Sequence, residues 1–573
     1  MFNNQPPGLF VLSLSNTGER FGYYTMLAIL LLFLQAKFGF STATAGFIYS
    51  TFLALVYFMP MLGGIVADKW NFRKTVLMGI VVMFLGYLLM AVPTPNMKTS
   101  SMVIMFAALF LIALGTGLFK GNLQVMVGDL YNNPKYAHKR DVAFSLFYMA
   151  INIGAMFAPS VTSGLLSYAL RQEGFVYNSA IPSICTKIVS GEHPAVESMA
   201  TLNAYIAEHA PEYTNHVNEF ATKFIDTIST GYSYAFAVAC LSMVVSFLIY
   251  VLGKRAYASD DTQAKAKTKD DTEADTLTPA QTKSRIVALL LVFTVVIFFW
   301  MVFHQNGMTL TKFAEVFTAS STASWTRGAF NIWILALIAV LVYAVFGFFQ
   351  NSGKVKAVSG IIGLLAIGGI TWLYLDTPAT VSDLQPQIYQ QFNPFYVVAL
   401  TPFSVLLFTW LGKIGKEPSA PRKIGLGMLV AAFAFALLCV CSLTLGVAPR
   451  EGQGAELVSP NVLISTYLFL TFAELLLSPM GISFVSKVAP PKYKGLMMGC
   501  WFGATAIGNY LVFIPALLWN SINVALLWGI LVAVCLISAA FIFAIMKKLE
   551  AATSDSEKPQ VADALETVED DVI

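Results

Sequence analysis

The chain has 573 residues, is 57% hydrophobic and 12% charged, carries a formal net charge of +3, and has a mean hydropathy of +0.68. That much apolar surface exceeds what a water-soluble fold can bury, so the sequence predicts an integral membrane protein. The small net charge, with no Lys/Arg cluster interleaved with aromatics, excludes nucleic acid as a partner.

The N-terminus lacks a basic stretch and a small-residue cleavage site, so the first apolar run is expected to stay as a span rather than be removed as a signal peptide. A helix needs about 20 apolar residues to cross the hydrocarbon. Runs of that length fall near residues 10–35, 43–67, 74–93, 101–126, 142–168 and 231–253. A second set falls near 285–309, 328–350, 358–375, 390–412, 423–446, 460–485, 495–519 and 523–546, fourteen in all. Cytoplasmic loops are enriched in Lys and Arg. Lys69, Arg73 and Lys74, the segment from Lys135 to Arg140, Lys254 and Arg255, Lys413 to Lys423, Lys492 and Lys494, and Lys547 and Lys548 then share one side, which puts both termini in the cytoplasm. The pair 328–350 and 358–375 turns at Lys354 and Lys356 on that same side, so it reads as an inserted hairpin that leaves twelve core spans in order.

The fold class expected is therefore an all-α membrane protein with 12 core helices in two six-helix bundles plus a two-helix hairpin. Residues 1–253 form the first bundle, with an extracytoplasmic insertion at about 170–230. Residues 254–284 form a charged cytoplasmic linker, residues 285–548 the second bundle with the hairpin at about 328–375, and residues 549–573 a disordered tail. Cys240, Cys439, Cys441, Cys500 and Cys535 lie in apolar runs and Cys185 in a polar one, giving neither a disulfide framework nor metal-ligand spacing. His193, His209 and His216 in the insertion are spaced too irregularly for a metal site, so no metal is expected.

An ionisable side chain at the bilayer centre costs about 2.5–3.5 kcal/mol on insertion scales. Four stand inside spans: Glu19 and Arg20 on the first, Lys120 on the fourth and Glu474 on the tenth core span. Unpaired, they would cost on the order of 10 kcal/mol together, so they are expected to face a wet cavity or one another. Asn16, Glu19, Arg20, Tyr23 and Tyr24 follow helical spacing and predict a polar and aromatic stripe along one face. The competing account, a buried ion pair that only fastens helices, is disfavoured because such pairs stabilise poorly.

The run Asn16-Thr17-Gly18-Glu19-Arg20-Phe21-Gly22-Tyr23-Tyr24 resembles the ExxERFxYY signature of the proton-coupled oligopeptide transporters, a branch of the major facilitator superfamily. Gly63 to Lys69 is similar to the superfamily's loop between spans two and three. Gly115-Thr116-Gly117-Leu118-Phe119-Lys120-Gly121-Asn122 resembles the helix-four motif and Phe147 to Ala155 the helix-five motif. Gln391 to Phe395, Glu474 to Pro479 and Met497 to Phe502 resemble helices eight, ten and eleven. The resemblance implies the major facilitator fold and a secondary active transporter, not an enzyme, importing di- and tripeptides by proton symport with alternating access. It implies a small peptide and protons as partners in a lipid bilayer and no cofactor. A monomer is expected, and the Lys/Arg placement with no eukaryotic targeting signal points to a bacterial inner membrane. By the same resemblance Arg20 and Lys120 would hold the peptide carboxylate, Glu474 the ammonium, and Asn152 and Asn393 the ends and backbone. Tyr23, Tyr24, Tyr57, Trp300 and Trp501 would be pocket aromatics, and Lys120 and Glu474 would re-pair between states. Proton coupling would fall to Glu19 and Glu474.

Three departures bear on mechanism. The signature's first Glu is Asn16, and the positions of a common outer gate pair hold Leu27 and His304. His304, next to Gln305, is an alternative candidate proton carrier near the outer gate, since a histidine's ordinary pKa is near 6.5. The Pro usual after the helix-four Lys is Gly121. The rival readings are a diverged member carrying another amphoteric or anionic solute, a peptide transporter with altered or absent proton coupling, and a membrane-embedded enzyme or nutrient sensor. No Ser/His/Asp set, HExxH motif or phosphate-binding glycine loop supports an enzyme.

Overall fold

A computed structural model describes residues 5–131, 135–136, 140–257, 278–349, 352–448 and 457–552. Within them, 13 helices are long and apolar enough to cross a membrane, or 14 when the bent pair Ser324–Phe330 and Ile332–Phe348 counts as one span.

The first bundle is built from α1 (Pro7–Phe38), α2 (Thr42–Trp70), α3 (Phe72–Ala91), α4 (Thr99–Asp129), α5 (Arg140–Gln172) and α8 (Val217–Leu252). Two short helices, α6 (Ile181–Val189) and α7 (Val196–His209), lie between α5 and α8. The second bundle holds α9 (Pro279–Phe303), α13 (Phe392–Lys413), α14 (Ala420–Cys441), α15 (Pro460–Val488), α16 (Lys494–Leu511) and α18 (Val524–Ala544). Short α10 (Thr309–Val316) follows α9, and α17 (Phe513–Leu518) follows α16. The hairpin is α11 (Ile332–Phe348) and α12 (Gly353–Asp376). Two apolar cores form, one running from Leu9 to Tyr257 and joined by Met308, Val512 and Ala516 of the second half, the other from Ala288 to Ala552 and joined by Met156 of the first.

Helix starts follow from short polar side chains that accept the freed N–H groups of a first turn. Ser41 accepts from the Thr44 N–H, Asn71 from Arg73 and Asn523 from Ala525. Thr278 and Gln281 cap each other at the start of α9. α1 ends at Gly39, whose φ of 69° is the left-handed conformation a terminating residue needs. Glycine also sets the closest crossing: a Cβ on Gly63 would lie 2.1 Å from the Gly117 carbonyl oxygen, so α2 and α4 meet backbone to backbone.

Four boundaries differ from the sequence expectation. The sixth span begins at Val217 rather than 231, because a helical extension projects from the bundle and packs on the insertion. There Phe220 and Phe224 join Phe175 and Tyr205 in a small aromatic core. The Tyr205 hydroxyl donates to the Val176 carbonyl at 2.6 Å, and burial pushes its phenol up to about 12. The seventh span does not run unbroken to 309; a 3-10 turn at His304–Gly307 interrupts it and α10 carries it on to Val316. The expected linker 254–284 is helical at Lys254–Tyr257 and again from Pro279, while its residues 258–277 lie outside the described residues. The disordered tail expected from 549 is instead helical at 549–552, where Glu550 accepts from Ser419 and Arg422, and its remainder from residue 553 lies outside the described residues.

Two strands, β1 (Thr322–Ala323) and β2 (Thr380–Val381), pair antiparallel and pin the two ends of the hairpin together. Only Ala366 of α12 is buried, and that helix packs chiefly on α11, where a Cβ on Gly369 would lie 2.9 Å from Leu337. α11 leans inward instead: Trp333 meets Phe157 of α5 at 5.5 Å and Phe346 meets Phe403 of α13 at 5.0 Å between ring centroids.

Candidate functional site

A cavity of about 220 Å³ lies between the two bundles. Its walls include Asn16, Arg20, Tyr23, Tyr24 and Leu27 from α1, Tyr57 from α2 and Lys120 from α4. Asn152 of α5, Trp300 and His304 at the end of α9, Asn393 of α13, Glu474 of α15 and Trp501 of α16 complete them. Every sequence-derived site residue is therefore brought together except one. Glu19 is fully buried and does not line the cavity. It sits at the edge of the α1 stripe, about 60° round the helix from Asn16, and turns back onto its neighbour.

The charges differ in how they are satisfied. The Arg20 guanidinium donates through Nε to Glu19 Oε2 and through Nη2 to Glu19 Oε1 at 2.6 Å, a two-pronged pair within one helix. Its Cζ also lies 4.8 Å from the centre of the Tyr23 ring. Lys120 has no carboxylate within ion-pair distance among the described residues, and its Nζ rests 4.0 Å over the Tyr57 ring. Such a contact is worth about 0.5–2 kcal/mol, less than a full counter-ion supplies. Across the cavity, Glu474 accepts from Asn393 Nδ2 at 2.8 Å and from the Tyr148 hydroxyl at 3.1 Å. Asn393 donates also to Thr471 Oγ1 at 3.1 Å, which fixes the amide's direction. Lys120 and Glu474 are not paired here, so this structure holds the separated arrangement. Asn152 spends one amide hydrogen on the Tyr148 carbonyl one turn earlier.

The result is a cavity with a cationic wall and an anionic wall, lined between them by rings. Tyr57, Trp300 and His304 form one aromatic side, His304 stacked 5.0 Å from Trp300 at 20°. Three buried polar atoms on the wall, Asn16 Nδ2, Trp300 Nε1 and His304 Nδ1, lack a protein partner among the described residues. An orphaned donor costs about 1–3 kcal/mol, which water or a ligand in the cavity would recover.

Sequence reasoning missed Tyr148, although it lies inside the helix-five motif and stands one turn from Asn152, a spacing that shares a helix face. It also missed the contacts that close one end of the cavity. At the face carrying the insertion, Lys312 pairs with Glu315 on α10 and donates to Gln35 Oε1 of α1 at 3.1 Å. Nearby, Gln390 Nε2 donates to the Ala28 carbonyl and to Thr311 Oγ1, both at 3.1 Å. Gln385 Nε2 reaches Ser167 Oγ at 2.8 Å, so both α1 and α5 of the first bundle are joined to the second.

Two six-helix bundles around a polar midplane cavity, with a hairpin inserted between core spans, define a membrane transporter of the major facilitator fold. The model of the POT family matches residues 73–191 and 375–554, and the chain belongs to that family. It is similar to an uncharacterized transporter, YclF, of Bacillus subtilis (strain 168), with 26% identity over 524 residues covering 87% of this chain and 85% of that one. It is also similar to dipeptide and tripeptide permease B of Salmonella typhimurium, 26% identical over 525 residues, 88% of this chain and 86% of that one. The fold matches the crystal structure of a peptide transporter POT in complex with sulfate, with a TM-score of 0.64, 20% identity and 96% of each chain covered.

Proposed function

We propose that this chain is a secondary active transporter that imports di- and tripeptides by proton symport, and that the cavity described above is its substrate site. The observation that carries this is the pairing of walls: Lys120 lacks a counter-ion among the described residues, and Glu474 is held by neutral donors only. A zwitterion longer than one amino acid matches such a site, because its carboxylate and ammonium stand apart and each meets the opposite charge. A simple anion would leave Glu474 facing like charge, which disfavours the anionic-solute reading. Lys120 and Arg20 hold the peptide carboxylate, Glu474 with Asn393 the ammonium, and Asn152 the backbone. Tyr23, Tyr24, Tyr57, Trp300 and Trp501 supply adaptable apolar walls.

Proton coupling follows from the Glu19–Arg20 pair. Protonation of Glu19 removes the negative charge and turns one of the two acceptor oxygens into a donor, which loosens the two-pronged pair and frees Arg20 for the incoming carboxylate. Glu474 and His304 are the further candidates, and Asn16 stands where the resemblance would place another carboxylate. Residues 1–253 and 285–548 act as the two rocking halves. The Lys and Arg residues of the face that carries both chain ends put that face in the cytoplasm. The transporter works as a monomer in lipid, in a bacterial inner membrane.

The test is uptake of labelled dialanine into liposomes holding the full chain, with and without an inward proton gradient. Accumulation driven by the gradient and reduced about tenfold to a hundredfold by Glu474→Gln is expected, since bonds to a charged group contribute about 1.5–3 kcal/mol. Exchange without accumulation would reject the symport part. Absence of any peptide flux would reject the substrate class.

A further inference from the structure

The end of the hairpin at the insertion face carries a cation without a counter-ion. The 3-10 segment Ser324–Phe330 meets α11 at 89°, so where α11 crosses the bilayer this segment runs along the membrane surface. Within it the Arg327 guanidinium carbon lies 4.3 Å from the centre of the Tyr374 ring of α12, and Nη2 donates to the Tyr374 carbonyl at 3.3 Å. The Tyr374 hydroxyl donates in turn to the Ser324 carbonyl at 3.3 Å, and its ring lies 3.1 Å from where a Cβ on Gly328 would stand. Tyr374 thus fixes the guanidinium between two anchored points. Arg327 has no carboxylate within ion-pair distance among the described residues, and its Nε lacks a partner there. Asp376 and Asp383, the acidic residues near this end of the hairpin, are exposed and neither pairs with it. Around Arg327 stand the exposed Trp325, Trp372 and Leu375. Tryptophans of this kind gather at the headgroup level of a bilayer.

We infer that this end of the hairpin binds an anionic phospholipid of the extracytoplasmic leaflet, with the headgroup phosphate on Arg327 and an acyl chain along α12. The inference does not depend on the peptide reading; only the choice of leaflet follows from the orientation given there. A guanidinium offers five N–H donors, and one bond occupies Arg327. Phosphate oxygens match the remaining donors in geometry and in charge. A zwitterionic headgroup brings its own ammonium to the phosphate and so attracts Arg327 less. Below it, Leu365 and Trp372 are exposed and stand seven residues apart on one face of α12, a track for the chain. The site is also joined to the second bundle. Thr326 donates to Asn461 Oδ1 at the start of α15 at 3.1 Å, and Phe330 meets Tyr389 and Phe392 at 5.4 and 5.7 Å between ring centroids. A bound lipid therefore steadies the ends of α13 and α15, the helices that carry Asn393 and Glu474, and not the hairpin alone.

The experiment titrates the purified full chain in detergent with dioleoylphosphatidylglycerol and follows the bound lipid by native mass spectrometry, beside Arg327→Gln, Trp325→Ala and Lys356→Gln. The last removes the same charge at the hairpin's other end. Arg327→Gln should raise the half-saturating lipid concentration about fivefold, the usual share of one cation facing an anionic headgroup. Trp325→Ala changes an exposed side chain outside both cores and should raise it as well, which keeps the inference testable if Arg327→Gln fails to fold. Lys356→Gln should stay within about twofold of the parent. An unchanged value for both Arg327→Gln and Trp325→Ala would overturn the inference, as would an equal rise for Lys356→Gln, the mark of unspecific charge. Dioleoylphosphatidylcholine should bind more weakly than the glycerol lipid, and equal binding would overturn the choice of an anionic headgroup. Inorganic phosphate should fail to displace the lipid; full displacement would mean a free-anion site and overturn the lipid assignment.

Discussion

Two ion pairs stand at opposite ends of this molecule and do different work. At the insertion face, Lys312 and Glu315 have side chains only 10% and 11% exposed, and Lys312 reaches across to Gln35 of the other bundle. At the opposite face, Arg422 in the first turn of α14 and Glu550 in the helical segment that follows α18 are 55% and 30% exposed. Tyr177 of the insertion and Tyr232 of α8 lie close enough to Glu315 to feel its charge, so the insertion sits over the first pair. The difference teaches where the conformational barrier lies. Both charges sit on α10, so that pair can move with its helix; what must part for the insertion face to open is the sheltered Lys312–Gln35 bond to the opposite bundle, whereas the exposed pair makes no such crossing and persists through the motion.

The strongest way to break that contrast is Lys312→Ala. It leaves Glu315 sheltered without its cation, a change that costs about 3–5 kcal/mol in buried pairs. A clear fall in the thermal unfolding midpoint in detergent is expected, with Lys312→Arg restoring most of it. The double variant Lys312→Met with Glu315→Leu should lie closer to the parent than Lys312→Ala does, because no charge is stranded. If Lys312→Ala melted with the parent, the pair would not be a structural fastening. A smaller effect is expected from Gln390→Leu, which removes the bonds to the Ala28 carbonyl and Thr311. Neutral bonds of this kind contribute about 0.5–1.5 kcal/mol. Hydrogen exchange at residues 385–391 should accelerate severalfold, and an unchanged rate would mean that this join is redundant.

Much of this architecture is legible in the sequence because lipid demands long apolar helices and makes every interior charge conspicuous. Arg20, Lys120 and Glu474 stand out on that ground alone, and their meeting in one cavity follows from their shared depth. Glu19 shows the limit: a stripe drawn from helical spacing includes residues at its edge, and only side-chain geometry shows that this carboxylate faces Arg20 instead of the cavity. Lys312 and Glu315 escape notice for the opposite reason. Two charges beyond the turn at His304–Gly307 end an apolar window, so a helical continuation reads as loop. A second cavity, of about 610 Å³, is beyond sequence reading altogether, because Tyr343, Val398 and Phe144 become neighbours only through tertiary packing.

The smallest effect belongs to the exposed pair, and its pH dependence has a definite sign. The Ser419 hydroxyl donates to Glu550 at 2.7 Å and the Arg422 guanidinium adds a second donor, and these hold the Glu550 carboxyl below its usual range. A carboxyl whose folded pKa is depressed stabilises the fold above its unfolded pKa, about 4.3, and loses that contribution as pH falls through the lower folded value. Glu550→Gln should therefore cost about 0.2–1 kcal/mol at neutral pH, the range of exposed pairs. The gap between variant and parent should close as the pH is lowered below about 4, and it should shrink in high salt as screening weakens the Arg422 contact. Thermal unfolding midpoints across that pH range test this, and a gap that widened in acid would mean that Glu550 is stabilised as the neutral carboxylic acid. A midpoint loss at Glu550 as large as that at Lys312 would erase the distinction between the two faces.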